Sequence, residues 1–240
     1  MVNWWGSWPA SPLRGWNVSE RYYYKLMSDE KPQNETFPTE LFQRYASVTP
    51  KKVSGPEMDR FYAGIFHQQL KRDSVRVAAL YLPGLDILNY EFFESKKIDP
   101  FTYTDLYRKH LEWLDQAVQE IHRSGQDHHL LIIFHQGRSL TEGHTMALIH
   151  GKERMRLNPA AVSVSETAVA PLLLYSCGLP VSKAMDSNLI SLAVPPSRLS
   201  AAPLRVVPAY VKEATAFESA HVGEFNDLLI EQMKSLGYLQ

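Results

Sequence analysis

Cysteine is nearly absent from this chain. Cys177 is the only one, so no intrachain disulfide can form, and a reducing compartment suits the composition. No apolar run approaches the length of a membrane span. The start, "MVNWWGSWPASPLRGW", has no basic segment followed by an apolar core, so it does not read as a signal peptide, and the cytoplasm is the default expectation. Charge of one sign is lacking as well. The formal net charge of −1 excludes a basic surface dominating the whole protein, and no nucleic-acid partner is expected. Internal repeats and low-complexity tracts are absent too.

What is present is an ordinary globular composition, 45% hydrophobic and 21% charged over 240 residues. Trp4, Trp5 and Trp8 crowd the start, and rings of that size need something to pack on. The start therefore reads as the middle of a domain. Residues 28–37 are polar and turn-rich and read as a surface loop. A short helix is expected over 38–45. In "DRFYAGIFHQQLK" (59–71), Phe61, Ile65, Phe66 and Leu70 fall near helical spacing. "VRVAALYL" (75–82) reads as a strand stopped by Pro83-Gly84. The clearest helix runs from about Thr104 to His122, with Tyr107, Leu111, Leu114, Val118 and Ile121 on one face and Gly125 ending it.

"LLIIF" (130–134) then reads as a buried strand of a parallel sheet, followed by a loop over 138–143 and a short strand "TMALIH". A helix is expected across 166–177, with Gly178 as its C-cap residue and Pro180 stopping it. Residues 203–211 suit an edge strand, since Pro208 cannot sit in a central one. A last helix is expected over 220–236. Alternating strands and helices predict an α/β class, a layered sheet with helices on both faces. "VAALYL" and "LLIIF" are expected to share that sheet.

Ligand crevices of open α/β sheets lie beyond the carboxyl ends of the strands. Three segments put polar residues at such ends: "YLPGLDILNY" with Asp86 and Tyr90, "FHQG" with His135 and Gln136, and "TEGHTMALIHG" with His144. Carboxylate and imidazole converging there are the donors of a zinc-type or mixed divalent site. Each has a plainer reading, Asp86 as a turn former and His144 as a solvated loop residue. His128 and His129 read as solvated, His150 as structural, and Cys177 as a small core residue.

These segments and their order resemble the type I phosphodiesterase/nucleotide pyrophosphatase branch of the alkaline phosphatase superfamily. "NWWGSWPASPLRGWNVSER" is similar to that branch's W-x-T-W-P-A-E and V-S-D-R region, with Ser7 where Thr is usual. "YLPGLDILNY" resembles its Y-x-P-G-x-D-x-x-x-H segment, and "LLIIFHQG" the strand ending in S-D-H-G. "GHTMALIHG" resembles the region bringing the last metal histidine, and "TAVAPLLLYSCGLPVSKAMDS" the block D-I-A-P-T-L-L-x-L-x-G-L-P-x-x-x-D-M-D-G. The resemblance spans almost the whole chain.

It implies a single alkaline phosphatase-like domain over 1–240, incomplete at its N-terminus and lacking the first βα elements. It also implies two-metal phosphoester hydrolysis through a Thr or Ser alkoxide and a phospho-enzyme. The family's nucleophile and first aspartate lie upstream of the tryptophan-rich segment, so no catalytic nucleophile is expected within these residues. Asp86 matches the first-site carboxylate and His144 its second histidine, while Tyr90 stands where that site's first histidine belongs. His135 stands in place of an aspartate and Gln136 in place of a histidine, and a neutral amide is a poor partner for zinc. The expected metal donors are Asp86, His144 and His135, holding one zinc-like divalent ion or none.

Two functions follow from the resemblance. One is a phosphodiesterase- or pyrophosphatase-family hydrolase with weak or no activity as this chain. The other is a non-catalytic pseudoenzyme binding a phosphorylated small molecule or a protein partner. The missing elements would leave apolar sheet surface exposed, which favours self-association or a partner.

Overall fold

The computed structural model describes residues 1–4, 10, 15–26, 34–46, 54–124, 130–134, 146–150 and 165–210. They belong to two units, Met1–Ser124 and Gly125–Gln240.

The first unit is built on a small sheet. Strand β1 (Val2–Trp4) runs parallel to β2 (Asn17–Ser19), which pairs antiparallel with β3 (Thr36–Phe37). On the far side of β1, the Val2 N–H donates to Ala79 O and the Tyr81 N–H donates to Val2 O, a parallel bridge centred on Leu80. The predicted strand over 75–82 is reduced to this bridge. Its neighbour β1 is only three residues long, so the ladder has nothing further to pair with, and Val77 is exposed.

Helices α1 (Tyr22–Leu26), α2 (Glu40–Ala46), α3 (Gly55–Arg72), α4 (Gly84–Asn89) and α5 (Pro100–Ser124) complete the unit. Ser54 is the N-cap of α3: its side chain accepts from the Glu57 N–H and donates to the Glu57 carboxylate. The buried face of α3 then follows the helical period through Met58, Phe61, Tyr62, Ile65 and Phe66. The last turn of α3 stops at Asp73, whose backbone is extended. Asp99 begins α5, accepting from the Phe101 and Thr102 N–H groups and from the Thr102 hydroxyl, with Pro100 at the first helical position.

The core between the sheet and α3 is aromatic. Tyr22 stacks on Phe61 at 5.8 Å and meets Phe42 edge-on at 5.0 Å. Buried phenols need partners, and these have them. Tyr22 Oη donates to Phe42 O at 2.7 Å. Tyr62 Oη donates to Ser19 O and Glu20 O and accepts from the Tyr23 N–H. Tyr45 Oη accepts from Gln69 Nε2 at 2.8 Å. Burial of Tyr22 and the neighbouring Tyr45 hold its phenol well above the ordinary range.

In the second unit, β4 (Leu130–Phe134) pairs antiparallel with β5 (Met146–His150), Leu130 opposite His150 and Phe134 opposite Met146. "LLIIF" is therefore a strand as predicted, but it is paired antiparallel in a two-stranded sheet that does not include residues 77–82. Residues 135–145 are fewer than the crossover that parallel neighbours require, so antiparallel pairing is the geometry open to them. Helix α6 (Val169–Ser176) follows a 3₁₀ turn and ends as predicted on Gly178. Gly178 has φ +70°, its N–H donates to Tyr175 O, and the Leu179 N–H donates to Leu174 O. This is a Schellman motif.

Strand β6 (Val181–Ser182) pairs parallel with β7 (Val206–Val207), and helices α7 (Asn188–Ala193) and α8 (Pro196–Ala201) lie between them in sequence. The edge strand expected over 203–211 is thus two residues long and ends before Pro208. A core of Ala168, Leu172, Val181, Leu189, Ile190, Ala193 and Val194 holds these pieces together.

The class is mixed α/β. Among the described residues the strands form one three-stranded and two two-stranded sheets. No described helix is long and apolar enough to cross a membrane. Gly125, the loop expected over 138–143 and the helix expected over 220–236 lie outside the described residues.

Tyr62→Phe removes the one hydroxyl proton shared between Ser19 O and Glu20 O and an acceptor for the Tyr23 N–H. It should destabilise the protein by about 1–3 kcal/mol, read as a lowered urea midpoint at unchanged slope.

Candidate functional site

Helix α4 is six residues long and begins at Gly84 after Pro83, which offers no side-chain cap. The cap comes from another helix. The Asp59 carboxylate on α3 accepts the Gly84 N–H at 3.0 Å to Oδ1 and 2.9 Å to Oδ2. Its Oδ2 also lies 2.9 Å from His110 Nε2 on α5. Asp59 and His110 are both fully buried, with side chains 0% exposed. One carboxylate thus ties three helices at a single point.

The approach is close enough to require glycine on both sides. A Cβ on Gly84 would stand 2.4 Å from Asp59 Oδ2 and 2.7 Å from Gly55 O. A Cβ on Gly55 would stand 2.6 Å from Gly84 O. Trp113 stacks on His110 with ring centroids 5.2 Å apart and planes 17° from parallel, and the Arg60 guanidinium sits 5.5 Å from the Trp113 ring. Farther along, His67 on α3 meets Glu120 on α5 at 3.6 Å.

Burial pushes the Asp59 carboxyl above its ordinary value of 3.8, against the opposing pull of the His110 hydrogen bond and charge, the Gly84 N–H and Arg60. With one proton between them, His110 Nε2–H donates to Asp59 and every donor in the contact is satisfied. His110 Nδ1 has no hydrogen-bond partner. The couple has no exposed atom with which to reach a substrate, so its work in this conformation is to fix α4.

What α4 carries is Asp86 and Tyr90. Asp86 lies in the first turn of the helix, where a carboxylate is favoured by the helix dipole, rather than just past a strand as expected. Tyr90 follows four residues later at the helix end, its N–H donating to Asp86 O and Ile87 O. That spacing places both on one helix face, and both are half-buried. Beyond Tyr90 the chain widens into a π-helical turn, Tyr90–Glu94. Such turns recur at functional sites.

His135, Gln136 and His144 lie outside the described residues, as do His128 and His129. The expected convergence of Asp86 with His135, Gln136 and His144 is therefore represented by Asp86 alone. Among the described residues, no group of three or more His, Cys, Asp or Glu side chains is gathered as a metal site. His150 ends β5. Cys177 is half-buried at the C-cap of α6, not in the core as expected, because the helix stops there and Gly178 turns the chain away.

No family model, curated protein or solved structure matches the chain.

Sequence reasoning missed Asp59 and His110, the pair on which α4 depends. The signal was there. Asp59 falls on the face of α3 that carries Tyr62 and Phe66, three and seven residues on. His110 lies between Tyr107 and Leu114 on the apolar stripe of α5. The α5 stripe is only half-buried, and Leu111, expected on it, is 42% exposed, but His110 within it is fully buried; a buried acid and a buried imidazole need each other.

Removing either partner leaves buried polar groups unsatisfied. Asp59→Leu and His110→Leu should each cost about 3–5 kcal/mol, and the double variant should cost clearly less than their sum in a denaturation cycle. Gly84→Ala should approach the Asp59→Leu cost, since its Cβ displaces the carboxylate. The pH dependence has a definite sign. A carboxyl whose folded pKa lies above its unfolded value binds its proton more readily in the fold. Its charge therefore costs stability above that folded pKa, and the cost disappears as pH falls through it. Lowering pH from neutral should shift relative stability toward the wild type over Asp59→Asn, measured as urea midpoints. A shift toward the variant would place the folded Asp59 pKa below 3.8.

Proposed function

We propose that this chain is a type I phosphodiesterase/nucleotide pyrophosphatase relative that keeps the family's scaffold segments with little or no phosphoester hydrolysis of its own. The observation that carries the reading is motif order. "NWWGSWPAS", "YLPGLDILNY", "LLIIFHQG", "GHTMALIHG" and "TAVAPLLLYSCGLP" follow one another as the family's segments do. The finer fold, an alkaline phosphatase-like layered sheet in a single domain, belongs to the same proposal.

One structural feature supports it. The D-x-x-x-Y spacing of Asp86 and Tyr90 is realised on a helix, so the family's D-x-x-x-H pair would there present two donors to one ion. The residues present do not fit a two-zinc centre. Asp86 offers a carboxylate oxygen, but Tyr90 puts a phenol where an imidazole belongs, and Gln136 offers only a neutral amide. Each charge-stabilising donor lost typically costs about 10²–10³ in rate, and the family's nucleophile has no counterpart among the matched segments.

Two measurements test the reading. Hydrolysis of a chromogenic bis-aryl phosphate diester and of nucleotides, with zinc, manganese or calcium added, should stay at background. Metal-dependent turnover abolished by Asp86→Ala or His144→Ala would overturn it. The triple variant Tyr90→His, His135→Asp, Gln136→His restores the family's donors, and by equilibrium dialysis it should bind zinc at least about tenfold more tightly than the wild type. No gain in affinity would mean that the carried-over ligand positions are wrong.

A further inference from the structure

We draw no further inference here: the strongest candidate, the buried Asp59–His110 side-chain cluster where α3, α4 and α5 meet, belongs to the site already described and exposes no side-chain surface to a ligand.

Discussion

The Asp59 carboxylate is the point on which the first unit turns. It stands where α3, α4 and α5 meet, accepts the first N–H of α4, and is met by His110 in a contact with no exposed side-chain surface. A six-residue helix has little stability of its own and here has no side-chain cap from its preceding residue. Its direction is therefore set from outside, by a carboxylate on another helix. Gly55 and Gly84 follow from the same constraint, since a side chain at either place would enter the other's backbone or the carboxylate itself. Taking a charge into such a place is costly, which is why burial lifts the Asp59 pKa and why the imidazole and the amide must be held there with it.

The rest of the unit supplies a rigid frame for that junction. Its core is mostly rings and phenols, with Val2, Val18, Leu41, Met58 and Ile65 among them, and the phenol oxygens of Tyr22, Tyr62 and Tyr45 bond to backbone or to Gln69. An aromatic core of this kind binds the small sheet to α3 with direction as well as area, because each hydroxyl fixes a ring's position along its helix. After that junction come half-buried Asp86 and Tyr90 at the two ends of α4, and then the π-helical turn with exposed Phe93.

Much of the local structure was legible because it depends on local chemistry. Helices α3 and α5 fall where apolar spacing put them, α2 and α6 fall within segments expected to be helical although 166–168 is a 3₁₀ turn, and Gly178 closes α6 because only a residue free of a Cβ takes its φ of +70° without strain. Strand pairing was not legible. "VAALYL" has strand character, but its partner β1 is three residues long, and "LLIIF" found an antiparallel neighbour where a parallel one was expected. Pairing is decided by which segments meet, and a single strand's composition does not record that. The antiparallel pair removes the shared-sheet argument for the family resemblance, which then rests on motif order. Of the site, Asp86 and Tyr90 were read at the right spacing on the wrong element. The pair that positions them escaped notice because a buried Asp–His contact joins residues 51 apart in sequence.

The amide of Gly84 gives the most direct test of the account. If the Asp59 carboxylate caps α4 from within the core, that N–H is hydrogen-bonded, dry and released only when the junction of α3, α4 and α5 opens. Hydrogen exchange followed by NMR should then show Gly84 protected to the level of the buried α3 amides around Tyr62 and Ile65, with protection lost in Asp59→Leu. A Gly84 amide that exchanges at the rate of an exposed turn in the wild type would contradict it.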